Sequence, residues 1–115
     1  MALTKTQSTT MWGLSVLLAA LFVFTGGAKL VGVEEVVENF RRFGFPAWFR
    51  ILIGVIEVVC GVALLIPKFA IDAASFLIII MLGAVLTELF VGDSIIPPLI
   101  TVILLGGVAA LRGDE

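Results

Sequence analysis

Residues 47–66 have the sequence AWFRILIGVIEVVCGVALLI, an apolar run with a single carboxylate, Glu57, near its middle. At about 1.5 Å per residue, a helix of this length crosses the roughly 30 Å hydrocarbon core of a bilayer, and Glu57 then lies near the midplane. An ionised group at that depth costs several kcal/mol unless it is paired, neutralised or hydrated. We therefore interpret Glu57 as a residue that needs a partner or a purpose, and a functional role is the default interpretation.

The composition is typical of an integral membrane protein. The 115 residues are 61% hydrophobic and 14% charged, with a net charge of −2, whereas soluble domains have about 25% charged residues. The slight negative charge argues against nucleic acid as a partner. One cysteine and no histidine exclude an internal disulfide, a CxxC redox pair and histidine-based zinc or haem sites. Any redox chemistry therefore requires a cofactor or a partner protein.

Three further apolar runs predict four spans in all, at about 11–31, 47–66, 69–91 and 94–111. The short connections between the later spans favour antiparallel neighbours, so we predict an all-α, up-down four-helix bundle that forms one domain over residues 1–115, multi-pass in the cell membrane. Residues 1–10 are predicted to be a disordered or interfacial lead. Lys5 and the small residues at 25–28 also suit a cleaved signal peptide, but the length of the first run and the three runs behind it favour a retained span.

The polar stretch at about 33–43 is predicted to be a short amphipathic helix between spans one and two. Acidic residues begin it and Arg41 and Arg42 end it, as the helix dipole favours, while valine and phenylalanine recur on one face. Pro46 then disfavours the helical conformation at Phe45. We expect this helix to lie at the membrane interface or to cap the bundle.

Glycines within the predicted spans allow the backbones of neighbouring helices to approach closely, which is the usual basis of packing in lipid. We interpret most of them as packing residues. They are Gly13, Gly26, Gly27, Gly54, Gly61, Gly83, Gly106 and Gly107.

The direction of the chain brings three charged residues into one half of the predicted bundle. Span one ends, span two begins and span three ends at the same face, so Lys29, Glu57 and Glu88 share that half. By residue count Glu57 lies about 8 to 10 Å deeper than Lys29, whereas a lysine stem reaches about 6 Å. We therefore predict that Glu88 is the better direct partner of Lys29. Lys29 reaches Glu57 only if span one is tilted, the lysine extends inward or a water bridges the two.

Two interpretations of this cluster stay open. It is either a polar clasp that sets helix register or the lining of a cavity for a polar headgroup, a quinone or a proton, and the depth of Glu57 favours the cavity for that residue. Cys60, Met81 and Thr87 are further candidates for the cavity lining, although packing is the more common role of such residues as Cys60 and Met81. We predict no metal site and no catalysis by the chain alone.

Short motifs in a fixed order resemble those of the DoxX-like family of small four-helix membrane proteins. The resemblance implies a four-helix integral membrane fold, and relatives have been linked to quinone-coupled thiosulfate oxidation and to membrane oxidoreductase complexes. It assigns the site to Lys29 and Glu57, whereas Glu88 departs from many relatives, in which a different polar residue follows the threonine. The motifs are Gly26-x-x-Lys29-Leu30, Phe43-Gly44-Phe45-Pro46, Gly54-x-x-Glu57-x-x-x-Gly61, Leu65-Ile66-Pro67 and Met81-x-x-Ala84.

These features suggest three functions. The first is a membrane subunit that binds a quinone or lipid-like ligand and supports a redox complex, with quinone as the candidate cofactor and redox proteins as partners. The second is a scaffold that packs against partner membrane proteins and uses the charged cluster only for structure. The third is a small carrier built as a homo-oligomer, because four short spans enclose little volume. All three place the chain in the lipid bilayer.

Overall fold

The computed structural model describes residues 3–92 and 94–113, and helices are the only regular elements within these ranges, which confirms the all-α class. Thr4 and Gln7 exchange hydrogen bonds with each other's backbone in a capping box at the start of the first helix. Residues 5–10 are therefore helical, so the disordered form of the predicted lead is wrong for them, whereas its interfacial location stays a prediction. The helices are α1 (Lys5–Val31), α2 (Glu34–Arg42), α3 (Ala47–Ala63), α4 (Ala70–Val91) and α5 (Ile96–Gly113).

The helices are apolar on the outside as well as in the core. Among the described residues, α1, α4 and α5 are each long and apolar enough to cross a membrane, whereas α2 and α3, bent by 119°, pass that test only together. Large apolar side chains face outward, such as Phe90 at 95% and Phe24 at 77% exposure. An apolar surface of this extent is stable in lipid rather than in water. The chain is therefore a membrane protein.

The most extensive helix contact joins α1 to α3, and glycines lie within it. A Cβ atom added to Gly26 would lie 2.8 Å from the carbonyl oxygen of Gly54, and one added to Gly54 would lie 2.9 Å from the carbonyl oxygen of Gly26. Further along the same contact, a Cβ on Gly61 would lie 3.1 Å from the Cβ of Phe22. The two helices are thus antiparallel, and their backbones approach to a distance that a side chain at these positions would prevent.

The other glycines of the predicted packing set do not take part in such contacts. A Cβ added at any of them would meet nothing within 4 Å in the described parts of the chain outside its own turn of helix. The close-packing interpretation therefore applies to Gly26, Gly54 and Gly61. It does not apply to Gly13, Gly27, Gly83, Gly106 and Gly107.

The hydrophobic core fills the half of the molecule that contains the middle of α1. Leu18 and Phe22 of α1 pack with Leu77 of α4, Leu105 of α5 and Leu64 after α3, and each is at most 2% exposed. In contrast, α3 and α4 contact each other much less extensively than α1 contacts α3. This difference leaves a space between α3 and α4.

Arg112 is a buried residue near the end of α5. The residue is only 3% exposed. Its Nη2 atom donates a hydrogen bond to the carbonyl oxygen of Leu64 at 3.4 Å, and its guanidinium carbon lies 4.3 Å from the centre of the Trp12 ring. Arg112 therefore links the end of α5 to the end of α3, where a positive charge suits the helix dipole, and to the first turns of α1.

An Arg112→Gln variant is expected to be less stable by about 1.5–3 kcal/mol, because it loses a charge-assisted hydrogen bond and the contact with Trp12. Thermal unfolding of the purified protein in detergent measures this loss. Lys68→Gln is the matched control, since Lys68 is an exposed cation near the same end of the molecule. Equal unfolding temperatures for the two variants would contradict a structural role for Arg112.

Candidate functional site

The candidate site is centred on an ion pair between α1 and α3. Lys29 Nζ lies 2.8 Å from Glu57 Oε2, and the exposed fractions of the two side chains are 17% and 2%. One turn earlier in α1, Thr25 Oγ1 donates a hydrogen bond to the same carboxylate oxygen at 3.3 Å. The buried carboxylate is thus both paired and hydrogen-bonded, as a charge removed from water requires.

This contact corrects the prediction that Glu88 is the better partner of Lys29. The residue count assumed that α1 ends level with the start of α3. In the structure a Cβ on Gly54 would lie 3.0 Å from the Lys29 Cβ, so Lys29 is level with Gly54. Glu57 is three residues further along α3, which corresponds to a depth difference of only about 4.5 Å. The first turn of α3 extends past this level, and Arg50 there donates a hydrogen bond to the carbonyl oxygen of Lys29.

A cavity of about 490 Å³ opens beside the ion pair. Lys29 and Glu57 line it from α1 and α3, while Met81, Thr87 and Glu88 line it from α4. The structure therefore brings the three charged residues of the predicted cluster around one cavity, together with two of the three predicted lining residues. Glu88 is part of the lining without being the ion-pair partner of Lys29.

Cys60 lies elsewhere. It lines a second groove, of about 570 Å³, together with Asp72, Phe69 and Phe76. Cys60 is half-buried and packs against the hydrophobic core. The structure thus separates this thiol from the Lys29–Glu57 cavity.

Phenylalanine rings form one wall of the cavity. Phe40 comes from α2, Phe43 and Phe45 from the connection after it, and Phe49 from α3. The Phe45 and Phe49 ring centres are 4.7 Å apart. This arrangement depends on the bend between α2 and α3, where Gly44 adopts a positive φ of 82° that favours glycine. The apolar face predicted for the amphipathic helix thus contributes to the cavity wall.

Sequence reasoning missed three polar contributors to the site. Thr25 is one turn before Lys29 on α1, a spacing that places both on one helix face and could have identified it. Asn39 lines the cavity from α2, and Arg50 contacts the end of α1. The contacts of Asn39 and Arg50 depend on the bend between α2 and α3 and on the overlap of α1 with α3, so no local pattern indicates them.

The groups around the cavity are suited to binding by hydrogen bonds and charge. They include the ammonium of Lys29, the carboxyl groups of Glu57 and Glu88, the hydroxyl of Thr87 and the amide of Asn39. Within residues 3–92 and 94–113, no three or more His, Cys, Asp or Glu side chains are grouped so that they could hold a metal ion. Such a site, beside an apolar wall, fits a ligand with a polar head and an apolar tail.

The fold and the cavity define a small all-helical membrane protein with a charged, hydrogen-bonding site among apolar helices. More specifically, the chain belongs to the DoxX-like family, whose sequence model matches residues 13–111. This match confirms the resemblance that the short motifs indicated, and the matched range includes the ion pair and the whole cavity lining. No curated protein matches the chain at a significant level.

Proposed function

We propose that the chain is a multi-pass protein of the cell membrane, in which α1, α3, α4 and α5 cross the bilayer as an up-down bundle. The 17 residues of α3 extend about 25 Å as a helix, which is at the short end of the range for a span. The bend of 119° turns α2 away from α3. Because α2 combines an apolar face with acidic and basic ends, it is suited to the membrane surface.

The proposed function is to bind the headgroup of a quinone or similar lipid-like amphiphile in the cavity and to support a redox complex. The observation that carries this proposal is the Lys29–Glu57 ion pair on the lining of an otherwise largely apolar cavity. The charged pair suits a polar head, and the space between α3 and α4 suits an apolar tail. Electron transfer is assigned to the ligand and to partner redox proteins, with this chain as the binding subunit.

A Glu57→Gln variant is expected to stay folded but to bind the ligand about tenfold more weakly or worse, because it loses the charge that positions the Lys29 ammonium. The measurement is a titration of the protein in lipid nanodiscs with a decyl-substituted benzoquinone and its hydroquinone. Asp72→Asn is the matched control, since this carboxylate lines the second groove. The proposal fails if the wild-type protein binds neither redox form.

A scaffold is the second candidate, favoured by the nearly complete burial of Glu57 and by the glycine contact between α1 and α3. A buried ion pair can fix helix register without binding anything. On this hypothesis partner helices, or further copies of this chain, pack on the apolar outer faces. Glu57→Leu would then lower thermal stability in detergent, Glu57→Gln would behave normally, and the wild-type protein would bind no quinone or hydroquinone.

A further inference from the structure

The hydrogen bonds of the ion pair leave one carboxylate oxygen of Glu57 available to a ligand. Among the described residues, Lys29 Nζ and Thr25 Oγ1 both donate to Oε2, and none donates to Oε1. Glu57 is 1% exposed and lines the cavity. Oε1 is nevertheless not among the fully buried side-chain polar atoms that lack a partner in the described residues, so it is not sealed off, and a hydrogen-bond donor on a ligand in the cavity can reach it.

The remaining polar lining of the cavity offers both acceptors and donors. Thr87 donates its hydroxyl proton to the carbonyl oxygen of Gly83 at 2.8 Å. Its hydroxyl oxygen can therefore only accept a hydrogen bond from a further partner. Glu88 adds a second carboxyl group to the lining. The donors are the amide of Asn39 and the ammonium of Lys29, which uses one of its three protons on the carboxylate of the ion pair and so leaves Oε1 without a donor. A ligand that complements this lining must therefore supply at least one donor of its own.

The apolar wall favours an aromatic headgroup. The centre of the Phe40 ring lies 6.0 Å from that of Phe45 and 6.4 Å from that of Phe49, and all three rings are tilted relative to one another. Tilted ring arrangements at these distances are favourable for aromatic groups, including one brought by a ligand. The cavity volume of about 490 Å³ is within the range of small-molecule pockets.

We infer that the ligand headgroup donates a hydrogen bond to Glu57 Oε1 while it accepts one from Lys29 Nζ, so that the cavity selects the hydroquinone form of an aromatic amphiphile over its quinone form. This inference rests on the proposed function, because it specifies the same ligand. A quinone carries only carbonyl acceptors and leaves Glu57 Oε1 without a donor. Sites built to bind a hydroxyl group discriminate strongly against analogues that lack it.

An anionic headgroup is disfavoured by the same lining. It would accept a hydrogen bond from Lys29, but it has no proton to donate to Glu57 Oε1, which it would approach with a charge of the same sign in a largely apolar cavity. Like charges in such surroundings repel each other strongly. A fatty-acid carboxylate is therefore a poorer match than a neutral hydroxylated ring.

The test compares ligands that share one decyl tail. A substituted hydroquinone, the corresponding benzoquinone, the dimethyl ether of the hydroquinone and decanoate are titrated against the wild-type protein in nanodiscs without oxygen. The hydroquinone is expected to bind about tenfold more tightly or better than each of the others, because it alone brings an O–H donor without a negative charge. Asp72→Asn, in the second groove, is expected to keep this preference.

The outcomes separate the inference from the proposed function. If the quinone or the dimethyl ether binds as tightly as the hydroquinone, the inference is overturned and quinone binding by the cavity still stands. Tighter binding of decanoate than of the hydroquinone overturns it as well, since it shows selection for an anion. If neither the hydroquinone nor the quinone binds, the proposed function itself fails and the inference fails with it.

Discussion

A Gly26→Ala variant is expected to unfold at a clearly lower temperature than the wild-type protein and to lose ligand binding. The added Cβ would lie 2.8 Å from the backbone oxygen of Gly54 and 3.0 Å from the Cβ of Glu57. Because a backbone oxygen cannot rotate away, α1 and α3 must separate, and overpacking of this kind costs about 1–3 kcal/mol. The separation would also displace Lys29 from Glu57, so the loss of binding follows from the same change.

The neighbouring residue provides the control for this prediction. A Cβ at Gly27 would meet no atom within 4 Å in the described residues outside its own turn, and alanine is a better helix former than glycine by about 1 kcal/mol. Gly27→Ala should therefore be as stable as the wild-type protein or more stable. Thermal unfolding in detergent compares the two variants. Similar losses from both substitutions would show that the contact of α1 with α3 is not glycine-dependent.

A Lys29→Met variant is expected to lose about 3–5 kcal/mol of stability, because it leaves the carboxylate of Glu57 buried without its ammonium partner. The double variant Lys29→Met/Glu57→Leu should recover most of this loss, since apolar side chains of similar volume replace both charges. Its cavity would lack both groups that hold the headgroup. We therefore expect the double variant to be stable but unable to bind the hydroquinone in the nanodisc titration.

An exposed ion pair in the same chain serves as the control. Arg41 Nη1 lies 2.6 Å from Glu38 Oε1 on α2, and the two side chains are 70% and 60% exposed. Exposed pairs contribute little to stability, so Arg41→Met should unfold close to the wild-type temperature. If Lys29→Met behaves like Arg41→Met, the buried pair contributes no more than a surface pair. If the double variant is no more stable than Lys29→Met, the loss arises from packing rather than from the unpaired charge.

Much of the fold follows from local sequence patterns. Long apolar runs separated by turn residues predict helices, and the polar stretch between Gly32 and Gly44 predicts a short amphipathic helix, because both signals depend only on neighbouring residues. The local sequence also indicates the early start of α1, since Thr4 and Gln7 have the spacing of a capping box. The burial of Arg112 could not be predicted from local sequence, because it requires contacts with Trp12 and Leu64, which are distant in the sequence.

The sequence predicted part of the membership of the candidate site but not its geometry. A lone carboxylate inside an apolar run identified Glu57, and the direction of the chain placed Lys29 and Glu88 in the same half of the molecule. Residue counting then assigned Lys29 to the wrong partner. The count treats each helix as starting at one common plane, and nothing in a single sequence states how far α3 extends past the end of α1.

The sequence therefore establishes that this is an all-helical membrane protein with an unusual carboxylate at Glu57, since apolar composition and helical periodicity are local properties of the chain. The pairing of that carboxylate is a property of the assembled helices. Gly26 and Gly54 bring the two backbones together and set Lys29 level with Gly54, which gives the lysine its short reach to Glu57. The loose contact between α3 and α4, together with the bend between α2 and α3, leaves the cavity next to the pair.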